Sequence, residues 1–231
     1  MKSKRARPQW RQVSTVLLDM DGTLLDLRFD NYFWLEVVPA EFARVRAIDI
    51  ACAKRELEPK FAAMQGMLQW YCTDYWSTVL GLDIVGLKER TREHIRYLPG
   101  AQRFLERLRA SGRRVLLVTN AHHDTLDIKS RHTGIRALVD EVSSSHSLGV
   151  PKEHPDFWPR FARHHVFDRR ETLFVDDSLP VLRNARTHGI TQLFAIAKPD
   201  STLPSRAIDE FPAVEAVAEL LDDEVVQTAA D

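Results

Sequence analysis

The sequence predicts an α/β fold, a doubly wound parallel sheet of Rossmann-like plan interrupted after its first strand by an all-helical insertion. Three observations predict it. Short apolar runs, Val16-Leu17-Leu18, Val115-Leu116-Leu117-Val118 and Thr172-Leu173-Phe174-Val175, have the length and β-branched content of strands buried on both faces. Beyond residue 98, helical stretches alternate with such runs, the pattern that crossover connections turn into a parallel sheet. Between residues 28 and 97 the helical period continues without a strand. The domains expected are a core of residues 1–27 and 98–231 and a helical cap of residues 28–97.

Taken in order, Met1 to Arg11 is basic, but no apolar stretch follows to make it a secretory leader, so it reads as a flexible or surface-lying tail. The first strand stops at Asp19-Met20-Asp21-Gly22-Thr23. In the insertion, Phe33, Leu35, Val38, Phe42, Val45 and Ile48 recur at steps of three and four, which suits a helix interrupted or restarted near Pro39. Leu57, Phe61, Met64, Met67 and Leu68 suggest another helix, leading into the aromatic cluster Trp70, Tyr71, Tyr75 and Trp76. Gly81 and Gly86 punctuate a short segment, and Leu87 to Tyr97 is rich in charge.

The core resumes at Leu98-Pro99-Gly100. Ala101 to Ala110 carries Phe104, Leu105 and Leu108 on one helical face and ends at Ser111-Gly112. The strand that follows finishes at Thr119-Asn120. Asp124 to His132 is a helix closed by Gly134, Leu138 to Ser143 a weaker strand, and Pro155 to His165 a helix. Thr172 to Val175 stops at Asp176-Asp177-Ser178, Leu179 to His188 is helical with Gly189 as its stop, and Thr191 to Ala197 is a strand. Ala213 to Leu221 suggests a last amphipathic helix and Asp222 to Asp231 a frayed end.

At 231 residues and 44% hydrophobic, the chain can bury a substantial core. Lys plus Arg (32) nearly balances Asp plus Glu (33), so there is no basic field to attract a nucleic acid polymer or an anionic membrane. Any bound anion must be held by a local site. No segment approaches the roughly 20 apolar residues that span a bilayer. Cys52 and Cys72 form no CxxC pair and read as free buried thiols of a cytoplasmic protein. The oligomeric state is left open.

Three strands thus end in polar residues, and parallel strands align their carboxyl ends, where open α/β sheets take their ligands. Alternate residues of an extended chain point the same way, so Asp19 and Asp21 converge and need a cation or a shared proton between them. A solvated Asp-Gly turn accounts for Asp21-Gly22 but not for Asp19, which follows an apolar run directly. Thr119 and Asn120 end the second strand, Asp176 and Asp177 another, and Lys152 follows Gly149-Val150-Pro151 in a loop. Singly, a strand-end Thr is a helix N-cap and a loop Lys is solvated. Together they offer carboxylates for a hard divalent cation, a hydroxyl, an amide and an ammonium, an inventory that suits phosphoryl transfer.

Asp19-Met20-Asp21-Gly22-Thr23, Thr119, Lys152 and Val175-Asp176-Asp177-Ser178 resemble, in order and separation, the four motifs of the haloacid dehalogenase superfamily. The chain is similar in particular to the bacterial GMP/IMP nucleotidases, the purine 5′-nucleotidases of that superfamily. Val16 to Asp26, Phe29 to Trp34, Trp70 to Trp76, Leu80 to Ile84, Thr119 to His122, Pro151 to Glu153 and Thr172 to Ser178 carry the likeness. The resemblance implies a phosphatase acting on a small phosphate monoester, with Asp19 as nucleophile forming an aspartyl-phosphate and Asp21 as general acid and then base. Superfamily members that cleave carbon–halogen bonds lack the second Asp, so Asp21 favours phosphatase over dehalogenase. Mg²⁺ would be held by Asp19, the Asp21 backbone carbonyl and Asp177, with Asp176 a further ligand, a water-mediated one or the partner of Lys152. Thr119 and the backbone N–H groups around Gly22 and Asn120 would receive phosphate oxygens, and Lys152 would offset their charge.

The insertion then becomes a lid. Phe29, Asn31 and Trp34, just beyond the catalytic loop, are better placed as substrate contacts than Trp70, Tyr71, Tyr75 and Trp76, for which core packing weighs at least as much as purine stacking. Arg28 would meet phosphate or a carboxylate. His122, His123, His146, His154, His164 and His165 show no zinc spacing and are treated as structural, with His122 close to the phosphate edge. Three other readings compete: a sugar-phosphate phosphatase or phosphomutase with the same nucleophile, a phospho-accepting receiver domain, and a silent binding module. A receiver has no large insertion after its first strand, and a silent module would not keep every chemical position filled.

Overall fold

A computed structural model describes residues 7–221 of the chain. Its centre is a six-stranded sheet of order β3-β2-β1-β4-β5-β6, built from β1 (Thr15–Leu18), β2 (Arg114–Thr119), β3 (Glu141–Ser144), β4 (Thr172–Asp176), β5 (Gln192–Ile196) and β6 (Ala213–Val214). Every pairing is parallel. Leu18 stands in register with Leu117 of β2 and Val175 of β4, so the polar residues beyond these strands emerge at one edge. The strand order reverses at β1, between β2 and β4, which makes that edge the switch-point crevice of a doubly wound sheet.

Alternation along the strands assigns the two faces. Val16 and Leu18, Val115 and Leu117, and Leu173 and Val175 point into one core with Phe104, Leu105 and Leu108 of α6 (Ala101–Ala110) and Leu126 and Ile128 of α7 (His123–Thr133). Leu17, Leu116, Val118 and Phe174 point into a second core. There they meet Phe157, Trp158 and Phe161 of α9 (Phe157–Phe161) and Val181, Leu182 and Ala185 of α10 (Leu179–Thr187). Apolar layers on both sides explain why the strands read as unbroken hydrophobic runs.

The insertion has a core of its own. Phe33, Phe42, Leu57, Trp76, Leu80, Ile84 and Leu87 form a third cluster with Trp34, Phe61, Trp70 and Tyr75 against it. Its helices are α1 (Arg28–Tyr32), α2 (Val38–Arg46), α3 (Ile50–Met64), α4 (Thr73–Leu80) and α5 (Ile84–Arg90). The interruption expected near Pro39 is a π-helical turn, Phe33–Val37, just before it, where the widened ladder accommodates a residue with no N–H to donate. The segments leading into and out of the insertion run side by side: Leu25 bridges Tyr97, Asp26 N donates to the Arg96 carbonyl and Leu98 N to the Leu24 carbonyl.

Several expectations are corrected. Ala213 to Leu221 is not a helix but β6 followed by a 3-10 turn, Val217–Leu220. Pairing of Ala213 and Val214 with Ala195 and Ile196 satisfies the backbone there, and Val214, Val217 and Leu220 bury their apolar side chains without a regular helix. The expected frayed end, 222–231, lies outside the described residues, as does 1–6. The rest of the supposed tail is docked: Trp10 is fully buried and donates its indole N–H to the Leu220 carbonyl across 2.8 Å. The helix read from Pro155 to His165 narrows to α9, because its three aromatic residues are all that the sheet buries. Cys52 and Cys72 are free but half-buried rather than buried.

Candidate active site

The first strand ends against charge. Asp19 follows Leu18 with its backbone N–H on the Val175 carbonyl, and its carboxylate accepts from Lys152 Nζ at 2.5 Å. The same ammonium donates to Asp176 Oδ2 at 2.7 Å and to the Val118 carbonyl at 3.1 Å. Lys152 therefore hangs from the loop before α9 and ties the ends of β1, β2 and β4 together. Its loop is held in turn by Asn120, whose Oδ1 accepts the Lys152 N–H at 2.9 Å. Asp176 Oδ1 accepts from Ser178 N, so its oxygens are committed to the fold, while Asp177 lies at the rim with Arg206 3.9 Å away.

Asp19, Asp176 and Asp177 offer carboxylate oxygens that lie within 4.8 Å of one another. Asp19 and Asp176 share one buried ammonium, and Asp177 beside them, with Arg206 3.9 Å away, adds a third carboxylate, an excess of negative charge in a largely desolvated place. Burial pushes the Asp19 carboxyl up to about 7 against the pull of Lys152, and burial with its acidic neighbours holds Asp177 well above the ordinary range. A hard divalent cation with oxygen ligands matches both this charge deficit and this donor set, so the residues present fit Mg²⁺.

Gly22 adopts φ +81°, and a Cβ there would lie 2.8 Å from Asp177 Cγ and 2.9 Å from Pro199 Cβ. Only glycine lets the Asp21 loop approach Asp177 so closely. The Gly22 N–H itself donates to the Leu25 carbonyl, so it is already committed and the phosphate-binding role expected of that group is not available to it in this conformation. Thr119 is buried, and its Oγ1 accepts the Ala121 N–H at 3.0 Å while lining the same cleft.

Asp21 sits apart from Lys152 and meets a cation the sequence did not single out. Lys129, buried on α7, donates to Asp21 Oδ1 at 2.6 Å and to Asp30 Oδ2 at 2.5 Å. Lys88, buried on α5, reaches Asp30 Oδ1 at 3.3 Å, and both ammonium groups lie over the Phe29 ring. Burial pushes Asp21 up to about 6, with Lys129 opposing; burial also works on Asp30, but Lys129 and Lys88 overcome it and hold that carboxyl low. A Lys among polar helix residues looks solvated in sequence, and only the docking of α1 and α5 on α7 reveals otherwise.

These groups open into a cleft of about 900 Å³ whose lining includes Asp19, Asp21, Thr119, Asn120, Lys152, Asp176 and Asp177 from the core and Asn31, Trp34, Phe61, Trp70, Tyr71 and Lys88 from the insertion. Of the three substrate contacts expected first, Asn31 and Trp34 line it; Phe29 does not, because it is packed into the core beneath the two lysines. Tyr75 and Trp76 support the cap core, and Trp76 donates its indole N–H to the Trp70 carbonyl. Tyr71 donates to Glu153 Oε1, whose other oxygen accepts from Asn120 Nδ2, a polar link from insertion to core. Burial pushes the Asp200 carboxyl up, but hydrogen bonds from Thr202 and Asn31, with Arg28 nearby, overcome it and hold that carboxyl below its ordinary range. His122 Nδ1 meets Thr73 Oγ1 at 2.6 Å, a contact with the insertion.

A parallel sheet of this order with acids at its switch point defines a particular class of hydrolase. Residues 13–189 match the model of the haloacid dehalogenase-like hydrolases, and the chain belongs to this family. Among characterised relatives, it is 38% identical over 205 residues to the GMP/IMP nucleotidase YrfG of Escherichia coli (strain K12), covering 89% of this chain and 92% of that one. The Shigella flexneri protein of the same name matches equally. In fold the chain is similar to a HAD phosphatase from Thermococcus onnurineus (TM-score 0.73, 21% identity, 90% of this chain and 96% of that one). It also resembles the L-2-haloacid dehalogenase of Xanthobacter autotrophicus (TM-score 0.58, 17% identity, 90% and 96%).

Proposed function

We propose that this hydrolase is a Mg²⁺-dependent phosphomonoesterase working through an aspartyl-phosphate, and that its substrates are purine 5′-monophosphates such as GMP and IMP. The observation that supports the chemistry most is the pairing of Asp19 with Lys152 at the floor of a cleft that Asp177 also lines. The 38% identity to nucleotidases over nine-tenths of the chain supports the substrate class. A cleft of about 900 Å³ with Trp34, Phe61 and Trp70 on its wall is of the size that small-molecule sites have, and it offers apolar surface to a base.

In this reading Asp19 attacks phosphorus in line, forming the acyl phosphate as the bond to the leaving oxygen breaks, and Asp21 gives that oxygen its proton. Asp21 then takes a proton from water, whose oxygen attacks the phosphoryl group, so that Asp19 is regenerated and inorganic phosphate leaves. A carboxyl raised to about 6 serves both steps near neutral pH. Thr119 and Asn120 receive phosphate oxygens, Lys152 orients the nucleophile, and Asp177 with Asp19 and the Asp21 carbonyl would hold the cation, Asp176 acting mainly through Lys152. Mg²⁺, when bound, would supply positive charge that offsets the repulsion of two anions. The division into a core of residues 1–27 and 98–231 and a cap of residues 28–97 belongs to the same proposal, as does a cytoplasmic site of action on a soluble metabolite.

The test is kcat/KM across nucleoside monophosphates, sugar phosphates and p-nitrophenyl phosphate, with Mg²⁺ and with EDTA. GMP and IMP are expected to lead. A sugar-phosphate preference would overturn the nucleotide reading, and full turnover in EDTA the metal's role.

A further inference from the structure

A second cluster of ligating side chains lies between α4 and the sheet edge, outside the acidic site. Cys72 caps the N-terminus of α4, His122 follows β2, and His146 lies in α8 (Ser145–Leu148) after β3. One ligand atom from each of the three lies within 4.8 Å of the others. The two imidazoles meet edge-on with centroids 4.7 Å apart.

Each ring has a nitrogen to spare. His122 Nδ1 is 2.6 Å from Thr73 Oγ1 and 3.2 Å from Asp124 Oδ2, which leaves Nε2, 3.8 Å from Asp74 Oδ2, as its free nitrogen. The His146 ring lies near the Asn120 backbone, and its Nε2 is buried with no hydrogen-bond partner. A ligating histidine normally donates its second N–H to an oxygen in this way, which fixes its tautomer and leaves the other lone pair free. The Cys72 sulfur accepts only a long contact from Tyr75 N, 3.5 Å.

We propose that Cys72, His122 and His146 form a binding site for a borderline-soft divalent cation of the Zn²⁺ type, with exposed Asp74 or a water as fourth ligand. Thiolate and imidazole favour such a metal over Mg²⁺, which takes oxygen. Binding displaces the Cys72 thiol proton to solvent as the sulfur–metal bond forms. Tetrahedral Zn–S and Zn–N bonds of about 2.3 and 2.0 Å set ligand atoms about 3.5 Å apart, so the cluster must tighten by about 1.3 Å or less. The three ligands come from segments about 50 and about 25 residues apart, which is why no zinc spacing is visible in the sequence. Once bound, the metal joins the start of α4 in the insertion to the segment that follows β2, next to Thr119 and Asn120 of the substrate cleft.

Co²⁺ titration of the full chain in saturating Mg²⁺ tests this by absorption, independently of turnover. A stoichiometric thiolate-to-cobalt charge-transfer band that Zn²⁺ displaces is expected, and it should survive Cys52→Ser and vanish in Cys72→Ser. His146→Gln is expected to weaken binding at least tenfold, and it provides the test should Cys72→Ser fail to fold. No thiolate band in the wild-type chain, a band that persists in Cys72→Ser, or unchanged affinity in His146→Gln would overturn the site.

Discussion

Lys129 Nζ donates to Asp21 Oδ1 across 2.6 Å while its other carboxylate partner, Asp30, lies 2.5 Å away. The proposed acid–base residue is therefore held by a buried ammonium on α7, and that ammonium is shared with the first helix of the insertion. Lys129→Met leaves Asp21 without its cation and Asp30 with Lys88 alone. Removal of one partner of a buried pair costs about 3–5 kcal/mol, so urea unfolding should report a loss of that order. In an Asp30→Asn background the same change should cost distinctly less, since the pair is coupled. Additive losses would show that Lys129 does not bind both acids at once.

Asp19→Asn is expected to lower turnover of p-nitrophenyl phosphate by about a thousandfold or more, because an amide cannot form the acyl phosphate. Far-ultraviolet circular dichroism should match that of the wild type. Comparable activity in the variant would remove the nucleophile assignment.

Gly22→Ala places a methyl group 2.8 Å from Asp177 Cγ at a φ of +81°. Left-handed backbone strain of about 1–2 kcal/mol follows, together with displacement of the Asp177 carboxylate. The expected outcome is a Mg²⁺ affinity at least tenfold weaker, read by titration of the Mg²⁺ dependence of turnover; an unchanged Mg²⁺ requirement would place the cation elsewhere.

Stability without metal should fall as pH rises. The carboxyls of buried Asp19 and half-buried Asp21 have been pushed up by desolvation to about 7 and about 6 from an ordinary 3.8. The folded state thus holds protons that the unfolded state has already released, and the contribution present below pH 4 is lost between about pH 4 and 7. In EDTA the thermal midpoint should drop across that window by an amount reflecting a few kcal/mol. Mg²⁺ should reverse the drop, with a larger stabilisation at pH 7.5 than at pH 5. A midpoint that rises with pH in EDTA would contradict the burial of these acids.

The sequence by itself determined the central strands and the polar residues at their ends. Val16 to Leu18, Val115 to Val118 and Thr172 to Val175 are apolar runs that can only be buried, and in parallel strands the polar residues that end them must share an edge. Asp19, Thr119, Asp176 and Asp177 were legible for that reason, and Lys152 became so once the set was seen together. The helices of the insertion were legible from period, and their interruption from Pro39. Tertiary structure alone decided the rest. Lys129 and Lys88 follow no pattern that separates a buried lysine from a solvated one, because burial depends on which helix packs above them. Trp10 looked like part of a loose tail until the 3-10 turn at Val217–Leu220 supplied a carbonyl for its indole. Cys72, His122 and His146 come from three separate segments, and no local spacing records that the fold sets them side by side. Periodicity carries information about the neighbours of a residue along its own element; a contact between elements is set by how they dock, and that belongs to the whole chain.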